Sequence, residues 1–105
     1  INAEYGEGMA YCFGADATSA ASVTALAHGV AEIFSRVDLL EYSAGIAKAA
    51  FISDFALGDF DRSLQVYLVG YFLCAREFSR LMIRDGIKVR IIQINSISGK
   101  VGSKH

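Results

Sequence analysis

A chain of 105 residues is the size of one domain with a modest core and is short for a complete two-substrate enzyme. Apolar residues make up 53% of it and charged residues 20%, a globular composition that excludes a disordered chain. A net charge of −1 argues against nucleic acid as a partner, because that role needs a clustered basic face.

The first apolar run, "GMAYCFGAD" from Gly8 to Asp16, is short and bounded by glycines, which predicts a strand. Asp16 and Thr18 then offer capping chemistry ahead of "SAASVTALAHGVAEIFSRV". There Val23, Leu26, Ala27, Val30, Ile33, Phe34 and Val37 recur at spacings of three and four, one face of an amphipathic helix. "DLLEYSAG" reads as a second strand, and its Ala44 and Gly45 allow a backbone or ligand to approach closely. "KAAFISDFALGD" is a loop or a short helical turn. From about Asp59 a long helix runs to Gly86, a natural terminator, with Phe60, Leu64, Tyr67, Leu68, Tyr71, Phe72, Ala75, Phe78 and Met82 as its buried stripe. "KVRIIQINS" is the third strand.

The order strand, helix, strand, helix, strand, with helical crossovers, means parallel pairing and an α/β fold. The longest apolar stretches are broken by charges well before the ~18–20 residues of a membrane span. The opening "INAEYGEG" also lacks the pattern of a signal peptide. Both point to a soluble, cytoplasmic protein. Cys12 and Cys74, each in apolar surroundings, fit reduced core thiols. His28 and His105 have no carboxylate or cysteine at ligand spacing, so no metal site is expected. Lys88, Arg90, Lys100 and Lys104 read as a scattered solvated rim.

Four segments, "ADATS", "VDLLEYSAGIAKAAFISDF", "DFDRSLQVYLVGYFLCAREFSRLMI" and "RIIQINSISGKVG", resemble in order and spacing the middle of a short-chain dehydrogenase/reductase. The resemblance covers essentially the whole chain. It implies a partial Rossmann-like domain over residues 1–105, from a family that holds NAD and transfers a hydride with the help of Asn, Ser, Tyr and Lys. Carried over by position, the family's serine falls on Ser96, and its asparagine position is occupied by Tyr67. The family's tyrosine and lysine fall beyond His105, and its glycine-rich NAD turn falls before Ile1. Tyr5, in the leading segment, is no substitute for that tyrosine. For the cofactor, Asp16 and Ala17 match the adenine contact, while Ser43, Ala44 and Gly45 stand near the nicotinamide ribose. There "YSAG" replaces the usual "NNAG", with Tyr42 and Ser43 in place of the two asparagines.

The resemblance therefore implies a site reduced to Ser96, and a serine without a base is a weak nucleophile. Tyr67, on an apolar stripe, fits core or interface packing. The expected chain is non-catalytic, binds no cofactor, and is a piece of the parent enzyme engineered or selected to fold on its own as a homodimer or higher oligomer. Two alternatives stay open: a residual NAD-binding module gripping adenine through Asp16 and Gly45, or an interaction scaffold for a different protein.

Glu41 is the odd residue, since a central parallel strand is covered on both faces and should be apolar throughout. Either it faces solvent or it meets a partner across an interface. If three strands pair in chain order, right-handed crossovers put both helices on one face and leave the other bare. Leu39, Glu41, Ile91 and Gln93 are the expected bare face, alternating with Leu40, Tyr42, Ile92 and Ile94.

Overall fold

The computed structural model describes residues 2–101, so Lys104 and His105 lie outside the described residues. A short helix α1 (Asn2–Tyr5) opens the chain, and the Asn2 side chain clasps the backbone of Ala10 through both its amide atoms, at 2.8 and 2.9 Å. Helix α2 (Ala20–Ile33) follows. Its N-cap is Ser19, whose Oγ accepts from the Ser22 N–H at 3.2 Å, rather than Asp16 or Thr18. Those two residues form a turn just ahead of it: Asp16 Oδ1 accepts from the Thr18 N–H at 2.9 Å and from its hydroxyl at 2.7 Å.

Strands β1 (Leu40–Tyr42) and β2 (Ile91–Gln93) pair in parallel, with Leu40 opposite Ile91, Glu41 opposite Ile92 and Tyr42 opposite Gln93. Parallel neighbours need a crossover, here a rod of three consecutive segments. These are α3 (Leu57–Leu64), a π-turn over Gln65–Val69, and α4 (Gly70–Arg84). Gly86, at φ +69°, ends the rod in a Schellman motif. Its N–H donates to the Ile83 carbonyl at 3.1 Å, and the Ile87 N–H donates to that of Met82 at 2.8 Å.

The core lies where α2 and α4 pack together and α4 covers β1. Val23 and Ala27 from α2 meet Leu73, Cys74 and Phe78 from α4 and Tyr42 from β1. The Tyr42 ring meets Tyr71 edge-on, with centroids 5.9 Å apart. Met82 is fully buried. Among the described residues no helix is long and apolar enough to cross a membrane, and no three His, Cys, Asp or Glu residues gather as a metal site would require.

Three sequence expectations need correction. Residues 10–16 form no strand. A strand exists only through its ladder, and no backbone hydrogen bond joins this segment to β1 or β2 among the described residues. Tyr11, Cys12 and Phe13 are exposed, so Cys12 is not a core thiol. The buried stripe of the long helix is also different. Gly70, Leu73, Cys74, Phe78 and Met82 are buried, whereas Phe60, Leu64, Tyr67, Leu68 and Phe72 are exposed. A single 3.6-residue period cannot run through a π-turn, so the apolar face before it is out of phase with the one after it.

The third correction concerns the sheet faces. Residues directly paired in a parallel ladder share a face. The register therefore puts Leu40 and Tyr42 together with Ile91 and Gln93 on the helix side. The bare side carries Leu39 and Glu41 with Ile92 and Ile94, all four exposed.

Met82→Ala should lower unfolding free energy by about 2–5 kcal/mol, read by urea titration, because it empties a fully enclosed site. Stability should also fall in alkali. Burial pushes the Cys74 thiol above its ordinary 9.0, and burial first, then the neighbouring Cys74, pushes the Tyr42 phenol above its ordinary 10.0. Both groups are held neutral by the fold, so their contribution is complete below those ordinary values and is lost as pH rises through the raised ones. The urea midpoint should be flat between pH 7 and 8 and decline above about pH 9.

Candidate functional site

Beyond Tyr42 and Gln93 the two strands end side by side, and polar and small residues take over from apolar ones. A cleft of about 820 Å³ opens there. It is lined by Ser43, Ala44 and Gly45 just beyond β1, by Ile94 to Ser96 and Ser98 to Lys100 beyond β2, and by Tyr67. Ligands of α/β sheets gather at such carboxyl strand ends.

Ser96 sits at the start of a 3-10 turn (Ile97–Gly99) and caps it: its Oγ accepts from the Ser98 N–H at 3.2 Å. The Gly99 N–H donates to the Ser96 carbonyl at 3.1 Å. The hydroxyl is thus tied to its own turn, and no basic side chain hydrogen-bonds it among the described residues.

Tyr67 is about half exposed and lines the cleft, so of the expected core or interface packing the core placement does not hold. Its hydroxyl donates to the Ile46 carbonyl. Its ring lies so close over Gly45 that a Cβ there would meet it at 2.9 Å. The close approach that Gly45 permits is therefore taken by Tyr67. Behind it the Gln93 amide reaches the Tyr67 carbonyl at 3.5 Å, a marginal contact.

Ser43, Ala44, Gly45, Tyr67 and Ser96 share this one cleft. Asp16 does not join them. It lines a separate hollow of about 530 Å³ with Thr18, Arg62, Gln65 and Val66. Hydrogen bonds from the Thr18 hydroxyl and N–H hold the Asp16 carboxyl below its ordinary 3.8, with a smaller pull from Arg62. Ala17 lies next to Gly70, where a Cβ would come within 3.2 Å of the Ala17 carbonyl oxygen.

Sequence reasoning missed three participants. Lys100, assigned to a solvated rim, lines the cleft. Tyr42, noted as a replaced asparagine and as a residue of the covered strand face but given no contact, is 6% exposed and donates its hydroxyl to the Val66 carbonyl. Gly70 makes room for that hydroxyl. The available signal was a glycine inside an apolar helical run, which usually has a packing reason.

The profile of the short chain dehydrogenase family matches residues 1–105. The chain is 86% identical over all 105 residues to the sorbitol-6-phosphate 2-dehydrogenase of Escherichia coli K12, and it spans 40% of that protein's length. A crystal structure of sorbitol-6-phosphate 2-dehydrogenase from Erwinia amylovora superposes with a TM-score of 0.94 at 72% identity, covering 99% of this chain and 41% of that one. An NAD+-bound xylitol dehydrogenase superposes with a TM-score of 0.81 at 30% identity, covering 87% of this chain and 35% of the other. The α/β architecture is thus a piece of the Rossmann fold of these enzymes, and the chain belongs to the short-chain dehydrogenase family.

Proposed function

We infer that these 105 residues, by themselves, form a non-catalytic piece of a short-chain dehydrogenase that folds and associates with itself. The observation that carries this is Ser96. Its hydroxyl caps a turn, with no basic side chain hydrogen-bonded to it among the described residues, in a chain spanning 40% of the length of its relative. Tyr67 adds no proton-transfer path to it, because the phenol is engaged by the Ile46 carbonyl.

The residues present do not fit a whole dinucleotide. Asp16, Ala17, Ser43, Ala44 and Gly45 fall in two separate places, Asp16 serves its own turn, and Tyr67 lies over Gly45. A pyrophosphate is normally received by a glycine-rich turn at a helix N-terminus, and none of the described helices opens on one. No step through NAD is derived for this chain.

A second reading is favoured by the 86% identity. Within a full-length enzyme the same cleft would be one wall of the site for NAD-dependent oxidation of sorbitol 6-phosphate to fructose 6-phosphate.

Self-association is supported by the bare sheet face. Leu39, Ile92 and Ile94 are 50%, 45% and 56% exposed on one surface. Strand alternation adds Arg90 to the face that carries Glu41. A twofold axis would set Glu41 of one copy against Arg90 of the other twice over, which makes the face self-complementary. The contact should bury more than ~1,000 Å² in total.

Two measurements test these statements. With sorbitol 6-phosphate and NAD the chain should produce no NADH above a protein-free control, and calorimetry should register no saturable NAD binding at micromolar concentrations. Turnover by the chain, abolished by Ser96→Ala, would overturn the non-catalytic reading. Light scattering after size exclusion should return a dimer or larger species. Glu41→Lys should weaken association by about tenfold or more, roughly 1.4 kcal/mol, and the added Arg90→Glu should restore it. A monomer mass at high micromolar protein would remove the partner.

A further inference from the structure

The π-turn in the crossover rod has a cause in the adjacent strand. Within Gln65–Val69 the hydrogen-bond ladder slips by one residue, so the Gly70 N–H donates to the Gln65 carbonyl instead of that of Val66. The Val66 carbonyl is thereby left without its α-helical donor. Tyr42, buried on β1, donates its hydroxyl to that oxygen. The phenol reaches it only because residue 70 is glycine: a Cβ at that position would overlap the Tyr42 hydroxyl. Tyr42, Val66 and Gly70 thus interlock around one irregular turn.

Tyr67 sits in that same turn, one residue beyond the carbonyl that Tyr42 holds. It carries the opposite end of the linkage, with its ring over Gly45 and its hydroxyl on Ile46. The flanks are unequal. α4 is fixed in the core by Leu73, Cys74, Phe78 and Met82, whereas α3 has no buried residue. If the ladder returned to α-helical phase, the anchored side would stay and the free side would turn by about 100° per residue of slip. That rotation would carry Tyr67 off the cleft wall.

We propose that Tyr42 is a positioning residue for the cleft: its hydroxyl maintains the π-turn and thereby seats Tyr67 on Gly45 and Ile46. Tyr42 touches no cleft wall through this group and acts only through the turn. The inference goes beyond the non-catalytic reading and holds whether or not the chain binds NAD.

Tyr42→Phe in the full 105-residue chain tests it, because phenylalanine keeps the ring that packs against Tyr71 and removes only the donor. By NMR, the wild-type chain should show contacts between the Tyr67 ring and the Gly45 Hα protons, together with a ring-current displacement of those protons. Tyr42→Phe should abolish both while leaving the Phe78 and Met82 signals of the core in place. A role confined to core packing would not move the Gly45 signals. Gly70→Ala, which drives the hydroxyl off Val66 from the other side, should give the same spectrum. Survival of the Tyr67–Gly45 contacts in folded Tyr42→Phe overturns the proposal. Loss of folding in both variants overturns it as well, since the proposal requires the α2–α4 core to outlast the hydrogen bond.

Discussion

A buried phenol has to place its hydroxyl, and in this chain that requirement organises the middle of the molecule. Tyr42 enters the core from β1, and its O–H finds the Val66 carbonyl. An α-helical carbonyl is already occupied, so the bond goes together with a turn in which one carbonyl is released. The glycine at 70 admits the oxygen, and the irregular turn changes the phase of the rod around it. Where the buried stripe of α4 starts, and where Tyr67 points, both follow from this contact.

The same rod explains why the two strands have such different sides. A right-handed crossover returns the chain to the sheet from one face. Leu40 and Tyr42 of β1 therefore meet α4, Ile91 and Gln93 share their face, and Glu41 is left outside with Leu39, Ile92 and Ile94. A carboxylate on that surface costs nothing while water reaches it, and it would need a cationic partner if the surface were covered. Arg90 at the foot of β2 is the nearest cation in the strand pattern.

Features fixed by local chemistry were legible in the sequence. Gly86 ends the rod as its position suggested, because a left-handed terminus needs only the glycine and its neighbours. The α2 periodicity found Val23 and Ala27 for the same reason. Features fixed by a distant partner were not legible. Residues 10–16 have the composition of a strand but lack a ladder. Ile91 and Gln93 were put on the wrong face because alternation gives two faces without saying which residue of the next strand shares one; only the register does. Family position named Ser43, Ala44, Gly45 and Ser96 one by one, and the cleft they share comes from the fold. The seat of Tyr67 in that cleft was not legible, since its periodicity assumed an unbroken α-helix.

The two thiols separate into different chemical fates. Cys12 lies exposed on the segment that never joined the sheet, while Cys74 is enclosed beneath Tyr42 with its thiol held protonated by burial. Oxidants and alkylating reagents act on accessible thiolate, so Cys12 is the one residue of the pair they reach in the folded chain. An air-oxidised sample would consequently hold two chains joined through a single Cys12–Cys12 bridge, a covalent dimer distinct from any association through the sheet. The same asymmetry makes Cys12 a natural attachment point for one probe per chain, and a second modified cysteine would report opening of the core.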